Sequence, residues 1–518
     1  MTDMDLAIEQ KAQHSNIFTS FDALNQVLDK YRDNTKIVHC HGVFDLLHIG
    51  HIRHFKAARE FGDILVVSLT PDIYVNKGSG RPAFTEQLRA EAIASLDCVD
   101  YVVINTSPIA VEAIQQIRPD FYIKGDEYAD QKNDITGKIN VEREAIESVG
   151  GVLAFTSDLT FSSSNLINRF FSPYSEEMQH FLNEFKKQYT ADAIFDYLEQ
   201  AKDLKVLVVG EVIIDAYHFT DVIGKAGKEP TLVAKKLDTE NYLGGSLALA
   251  NHLSDFCQKV TCLTYLGEKN EHDTLIKKGL KHNIDVVPIY KTDSPTIVKH
   301  RYLDKYLKQK LFEVYEINDD FLEPEQEQAF QAHINRLTDE HDLVICIDYG
   351  HGLLTDESIQ LLTDKAKFLA INAQSNAGNM GFNCISKYPS ADFVSIANRE
   401  LQLNYRQKHL SSTEQMSRLM EEHDYQKVMV TCGKYGAYAC QQGEAQTHVP
   451  AFTNQVVDRV GAGDAVLAIS SLFAYLDAPS LLIAFIGNVV GSEAVGMMGN
   501  KSSIEKVPLM KHLSHLLK

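Results

Sequence analysis

A chain of 518 residues exceeds what one ordinary hydrophobic core holds, and a norm of roughly 100–200 residues per domain predicts two to four domains. With 44% hydrophobic residues and a net charge of −20, the composition is that of a soluble globular protein. It excludes a nucleic-acid binder built on a basic face. Any pocket for an anion must therefore gather its cations locally. The eight cysteines follow no repeated spacing, which argues against a disulfide framework or a zinc ribbon and for reduced cytosolic thiols. The opening MTDMDLAIEQKAQ lacks the basic-then-apolar form of a signal peptide. No apolar run approaches the roughly 20 residues that span a bilayer. A cytoplasmic location without a membrane partner is the expectation.

Residues 1–35 are polar, with a helix expected from Phe21 to Tyr31 whose Leu24, Val27 and Leu28 form a narrow apolar stripe. They read as an extension packed on the first domain. From Lys36 the pattern alternates. Strands are expected at 37–41, 63–69, 100–104, 120–123 and 152–155, and helices at 49–61, 85–96, 108–117 and 141–148. Such βαβ alternation predicts a parallel sheet with sites at the carboxyl ends of its strands. Residues 172–203 are charged with helical period and read as a connecting segment. At 204 a fresh strand, LKVLVVGEVIID, opens a second α/β pattern that runs to 518.

Within the first pattern the spelling G-x-F-D-x-x-H-x-G-H spans Gly42 to His51. It sets His48 and His51 at a helix N-terminus, where free N–H groups and the dipole suit polyphosphate. Gly42 allows close backbone approach, Phe44 packs the turn, and Gly50 relieves crowding between the histidines. A zinc site is an alternative, since His39, His41 and His54 lie nearby, but no cysteine pair or H-E-x-x-H accompanies them. Histidines merely exposed at a helix start are another. The later strand ends carry Lys77-Gly78-Ser79-Gly80-Arg81, Tyr122-Ile123-Lys124-Gly125-Asp126 and Ser162-Ser163-Ser164-Asn165. One serine suffices to cap a helix, so the other two are left for phosphate.

In this order the pieces resemble the cytidylyltransferase-like nucleotidyltransferases over about residues 36–171. NKGSGRPAF, DCVDYVV and YIKGDEY look closest to the transferase domain of the bifunctional heptose-phosphate kinase/adenylyltransferases. The resemblance implies that His48 and His51 hold the nucleotide phosphates. It also implies that Lys77 and Arg81 touch phosphoryl groups and that Ser162, Ser163 and Ser164 hold the β- and γ-phosphates. Gly42, Phe44 and Lys124 join this nucleotide site. The implied chemistry is attack of a sugar phosphate on the α-phosphorus of CTP or ATP, expelling pyrophosphate, by positioning and charge neutralisation with Mg²⁺.

The second pattern carries Asp458-Arg459-Val460-Gly461-Ala462-Gly463-Asp464 ahead of an apolar helix. Gly461 and Gly463 let amides converge on an anion, and Asp464 sits where a carboxylate takes a proton from a hydroxyl. A tight turn with a capping aspartate is the bland alternative. Near its start, Asp215 and the Gly244-Gly245…Asn251 stretch suit a polyol. Together these resemble the ribokinase (PfkB) family of carbohydrate kinases over about residues 204–518. The resemblance makes Asp464 the base, Gly461, Ala462 and Gly463 an anion hole for the γ-phosphate, and Asp215, Gly244, Gly245 and Asn251 sugar contacts. Thr431, Gly433 and Gly436 match the nucleotide loop, and Asn488 a position lining adenine. Asp348 opens a D-Y-x-x-G turn, and Lys299 and Arg301 match a segment that binds the substrate's existing phosphate.

The chain departs from that pattern in places. Arg459 replaces the usual threonine, and the metal-associated N-x-x-E appears shortened as Asn398-Arg399-Glu400, leaving Glu400 as the metal candidate. His351 replaces the turn lysine, the transferase precedes the kinase, and an amide-rich run, Asn372 to Asn379, stands where those enzymes have a D-P-K-like turn. The expected architecture is a Rossmann-like nucleotidyltransferase followed by a ribokinase-like domain, with boundaries 1–35, 36–171, 172–203 and 204–518. The expected activity is nucleotide-sugar synthesis: ATP-dependent phosphorylation of a sugar or sugar phosphate, then transfer of CMP or AMP to it. The alternative keeps only the nucleotidyltransferase active and makes the kinase-like half a ligand-sensing or assembly module. The implied partners are a small-molecule sugar phosphate and an NTP, with a homodimer as a family habit.

Overall fold

The computed structural model describes residues 16–75, 81–125, 138–156, 174–269, 272–453 and 456–517. They form two compact units. The first comprises Met1–Ser175 with Met510–Lys518, the second Glu176–Leu509.

The first unit is built on β1 (Ile17–Phe18), β2 (Ile37–Gly42), β3 (Ile64–Leu69), β4 (Tyr101–Ile104), β5 (Phe121–Gly125) and β6 (Val152–Thr156). The order is β1-β4-β3-β2-β5-β6, with every pair parallel. Side-chain alternation divides the strands cleanly. Val38, Cys40, Leu65, Val67 and Leu69 join Phe55 and Ala58 on one face. Ile37 and Val66 join Phe21, Leu24, Leu28 and Ile117 on the other. Val27, read as part of the apolar stripe of the first helix, is absent from that core, and the helix ends at Leu28. The chain runs one way from β2 to β4 and the other from β5 to β6. The crevice of a doubly wound sheet therefore opens between β2 and β5, at their carboxyl ends.

In the second unit nine strands lie in the order β11-β10-β7-β14-β15-β16-β17-β18-β19. They are β7 (Lys205–Gly210), β10 (Lys259–Gly267), β11 (Ile284–Lys291), β14 (Leu343–Asp348), β15 (Leu369–Ala373), β16 (Ser390–Ala397), β17 (Asp424–Thr431), β18 (Ala437–Gln441) and β19 (Thr447–Val449). Pairing is parallel as far as β17 and antiparallel beyond it. The central β7 and β14 bury nearly every residue, as strands covered on both faces must. A separate four-stranded sheet, β13-β12-β8-β9, is made of β8 (Val212–Lys225), β9 (Leu232–Gly244), β12 (Ile297–Asp304) and β13 (Lys310–Glu316). The 172–203 stretch supplies two helices, Glu176–Phe185 and Ala191–Gln200, and Phe185 stacks on Phe485 with ring centroids 4.0 Å apart. Among the described residues no helix is long and apolar enough to cross a membrane.

Candidate active sites

In the first unit β2 ends at Gly42 and the chain turns through Phe44, whose φ of 46° is left-handed. The turn folds the Phe44 ring back over Gly42, where a Cβ would stand 2.9 Å from it. Only glycine leaves that space. The ring then meets His51 and Phe55 edge-on at 5.1 and 4.9 Å, pinning the turn to the helix Ile49–Arg59. His48 caps that helix, its Nδ1 accepting from the Gly50 N–H at 3.1 Å. An Nδ1 that accepts leaves the proton on Nε2. That Nε2 is buried and has no partner among the described residues. Burial also lowers the His48 pKa, holding the ring neutral with one N–H to offer. His51 stacks on it at 3.9 Å. The two rings thus present a donor surface at a helix N-terminus.

Arg81 makes a buried ion pair with Asp45, whose other oxygen accepts the Ala83 N–H at 2.5 Å. Lys124 is differently disposed from its expected role. Its ammonium pairs with Glu142 at 3.0 Å and lies over the Tyr122 ring, and Tyr122 donates to the same carboxylate. It ties β5 to the helix Lys138–Ser148. Of the other histidines, His39 and His41 both bond the Ser68 hydroxyl at 2.7 Å and His54 bonds Thr156 at 2.8 Å. Burial, helped by nearby Lys124, holds His39 down to about 3 and His54 to about 4, so both are neutral. Lys77 and Ser162, Ser163 and Ser164 lie outside the described residues.

In the second unit the strand ends and the small sheet enclose a cavity of about 310 Å³. Asp215, Lys299, Arg301 and Tyr315 line it from the small sheet. Gln374, Asn376, Glu400, Thr431 and the Arg459–Asp464 turn line it from the strand ends. Gly461 takes φ 80°, and a Cβ there would strike Asn500 at 1.9 Å, so only glycine makes this turn into the helix Ala462–Tyr475. Asp464 in the first helical turn is buried and accepts from Gln374 Nε2 at 2.9 Å. Burial pushes its pKa up to about 6, and neighbouring Asp215 adds to the rise against the Gln374 bond. A carboxylate poised there exchanges a proton near neutral pH.

Not every polar residue on the wall is available. Arg301 spends Nε and Nη2 on Asp215, at 3.2 and 2.7 Å, and Nη1 on Glu313 at 2.5 Å. Two carboxylates outweigh its charge, so Arg301 holds Asp215 rather than a substrate phosphate. Lys299 is the contrast. It is buried, lies 5.1 and 5.8 Å from the Tyr315 and Tyr349 ring centroids, and has no ion-pair partner among the described residues. Burial lowers its pKa while Asp215 pulls it upward. Gly244 and Gly245 are required by space: a Cβ would lie 2.4 Å from Asp215 Oδ2 and 2.3 Å from the Glu211 carbonyl, respectively.

Other expected contacts stand away from the cavity wall. Asp348 accepts from Tyr388, Lys387, Asn383 and the Gly350 N–H, which saturates both oxygens. Asn251 bridges Gly279 and Lys281, holding a loop. Asn488 donates to Val449 and Ala484 carbonyls, and Gly433 and Gly436 shape the turn between β17 and β18. Glu400 does line the cavity, but its two oxygens accept the Ser375 and Ala397 N–H groups. Burial raises it to about 7.

The amide-rich run from Asn372 to Asn379 supports the base and the turn beside it. Gln374 holds Asp464, while Asn376 and Asn379 both donate to the Tyr349 carbonyl, at 2.8 and 2.6 Å. Buried Glu211 completes that support by accepting the Tyr349 and His351 N–H groups. The run was visible as a cluster of amides; its targets lie on the helix Ala462–Tyr475 and on the turn that follows β14.

A doubly wound sheet with a small second sheet, enclosing a polar cavity with an aspartate at a helix N-terminus, defines a ribokinase-like unit. Residues 203–506, more than half of the chain, match the family model for pfkB family carbohydrate kinases. The chain belongs to that family. Residues 39–170 match the cytidylyltransferase-like model. Among curated relatives, the bifunctional protein HldE of Syntrophotalea carbinolica is 36% identical over 160 residues, 30% of this chain and 31% of that protein. HldE of Pelobacter propionicus is 40% identical over 143 residues, 27% of this chain and 28% of the relative. The matched stretch thus spans less than a third of the length of these relatives. Among solved structures, phosphofructokinase-2 of Escherichia coli aligns over 61% of this chain and all of its own, at 12% identity and a TM-score of 0.49.

Proposed function

We propose that this chain is a bifunctional enzyme of nucleotide-sugar synthesis, similar to the heptose-phosphate kinase/adenylyltransferases with the two halves in reverse order. The kinase half phosphorylates a sugar that already carries a phosphate, and the transferase half joins the product to a nucleotide. The observation that carries this reading is Asp464. It is a buried carboxylate poised near pH 6 at a helix N-terminus, in one cavity with a buried lysine that has no ion-pair partner among the described residues.

In the kinase step Asp464 takes the proton of a substrate hydroxyl. That oxygen attacks the γ-phosphorus of ATP, and ADP leaves. The turn Gly461–Gly463 supplies N–H groups to the phosphoryl oxygens, and Lys299 receives the phosphate already on the sugar. In the transferase step an oxygen of the sugar phosphate attacks the α-phosphorus of the NTP and pyrophosphate leaves. His48 donates Nε2–H to the phosphate, with His51 stacked behind it. For Mg²⁺ the donor set is poor. Glu400 is spent on backbone amides, and among the described residues no group of three or more acidic, histidine or cysteine side chains is placed to hold a metal. Mg²⁺ enters as counter-ion of the nucleotide phosphates. A cytoplasmic location and a homodimer complete the proposal.

The test is direct. The full chain is incubated with a panel of hexose and heptose phosphates and either ATP or CTP, while ADP and pyrophosphate are followed separately. The reading requires ADP release that depends on a sugar phosphate, and pyrophosphate release that depends on the phosphorylated product. Pyrophosphate release without any sugar-dependent ADP would instead support a kinase half that only senses ligand.

A further inference from the structure

Arg81 is held in an unusual way. Its side chain is only 3% exposed, and Asp45, its ion-pair partner, is fully buried. Asp45 takes the Nε edge of the guanidinium. A second contact comes from the far end of the sequence: Arg81 Nη1 lies 3.3 Å from Nε2 of His515. His515 belongs to the Met510–Lys518 segment of the same unit and is itself buried. An arginine only donates, so His515 Nε2 is the acceptor and the ring is neutral. What remains is Nη2, which is buried and has no partner among the described residues. A buried cationic donor left unsatisfied is costly and marks a place where an anion is received. Tyr174 stands in the same enclave: burial pushes its pKa up to about 12, and Arg81 draws it back.

Two acceptors at two of its nitrogens fix a planar fork completely. With Nε on Asp45 and Nη1 on His515, the direction of Nη2 is no longer free. Asp45 lies three residues before His48, on the turn leading into the same helix N-terminus. The fork and the imidazole donor are thereby anchored to one short loop.

We infer that His515 is a positioning residue of the nucleotidyltransferase site: it aims Arg81 so that Nη2 meets a phosphoryl group of the nucleotide. This rests on the reading of that unit as a nucleotidyltransferase. It means that the site is completed by a segment that follows the kinase portion in sequence, although the HxGH and arginine motifs lie some four hundred residues earlier.

The experiment uses the full chain with His515→Ala and His515→Gln. Glutamine keeps an acceptor at comparable reach; alanine does not. Losing one hydrogen bond to a charged group lowers kcat/KM for pyrophosphate release by roughly ten- to a hundredfold in His515→Ala, with His515→Gln close to the parent. Sugar-dependent ADP release stays at the parental rate in both, reporting an intact fold. Calorimetric titration with inorganic pyrophosphate runs in parallel and needs no turnover; His515→Ala weakens its binding by about tenfold or more. Unchanged pyrophosphate affinity in His515→Ala overturns the inference, as does a His515→Gln variant impaired as deeply as His515→Ala. If the parent protein binds pyrophosphate yet never releases it from any NTP, the transferase reading fails while the titration still decides the role of His515.

Discussion

Replacing Asp464 by asparagine separates function from stability in one substitution. Folding raises the Asp464 carboxyl from an ordinary 3.8 to about 6, chiefly through burial. A raised carboxyl favours the protonated form in the folded state. The stability it contributes is full below the unfolded pKa and is lost as pH climbs through the folded one. The shift of about 2 units, at 1.36 kcal/mol each, makes that loss about 3 kcal/mol at pH 7. Asparagine is isosteric, keeps an oxygen for the Gln374 amide, and carries no charge to desolvate. Asp464→Asn therefore unfolds later than the parent at pH 7 by up to about 3 kcal/mol, and the advantage disappears at pH 4. Denaturant unfolding of the kinase unit at the two pH values measures it. The same variant loses sugar-dependent ADP release by roughly a thousandfold, because the proton has no acceptor. Parental turnover would refute the base assignment. A variant less stable than the parent at pH 7 would refute the buried, desolvated carboxylate.

Gln374→Ala removes the bond that favours ionised Asp464, so the acid limb of kinase kcat/KM, expected near pH 6 in the parent, moves up by about one unit. An unmoved limb in a pH–rate profile would show that Gln374 does not act through Asp464. Lys299→Met keeps a side chain of similar length and deletes the charge that lies by the Tyr315 and Tyr349 rings. KM for a phosphorylated sugar then rises tenfold or more with kcat nearly unchanged, and steady-state kinetics that show the loss in kcat alone would remove Lys299 from the phosphate site. His48→Ala takes away the unpartnered Nε2–H and reduces pyrophosphate release by about a hundred- to a thousandfold, while ADP release in the same tube is untouched. A drop in both reactions would point to misfolding instead.

The amino-acid sequence by itself determined the elements and their kind. The strands and helices of residues 36–156 stand within a few positions of where apolar periodicity puts them, because burial on one or both faces is written directly into that period. The proposed anion sites at His48 and His51 and at Gly461 and Asp464 could be read for a related reason: a site at a helix N-terminus is made by neighbours in the chain. Gly245 and Gly461, both at positive φ, were legible too, since no other residue fits there.

Tertiary structure alone decided which polar groups remain free to act. Lys299 and Arg301 are equivalent in a one-dimensional reading, two residues apart on one strand. Only the partners at Asp215 and Glu313, on adjoining strands, take Arg301 out of service and leave Lys299. Glu400 reads as a metal ligand until the Ser375 and Ala397 amides claim it, and Asp348 as a substrate contact until Tyr388 and Lys387 do. Gln374 and His515 gain their meaning from residues 90 and 434 positions away. Hydrogen bonds and ion pairs act over about 3 Å, so a chain that brings such distant residues together settles their chemistry only on folding.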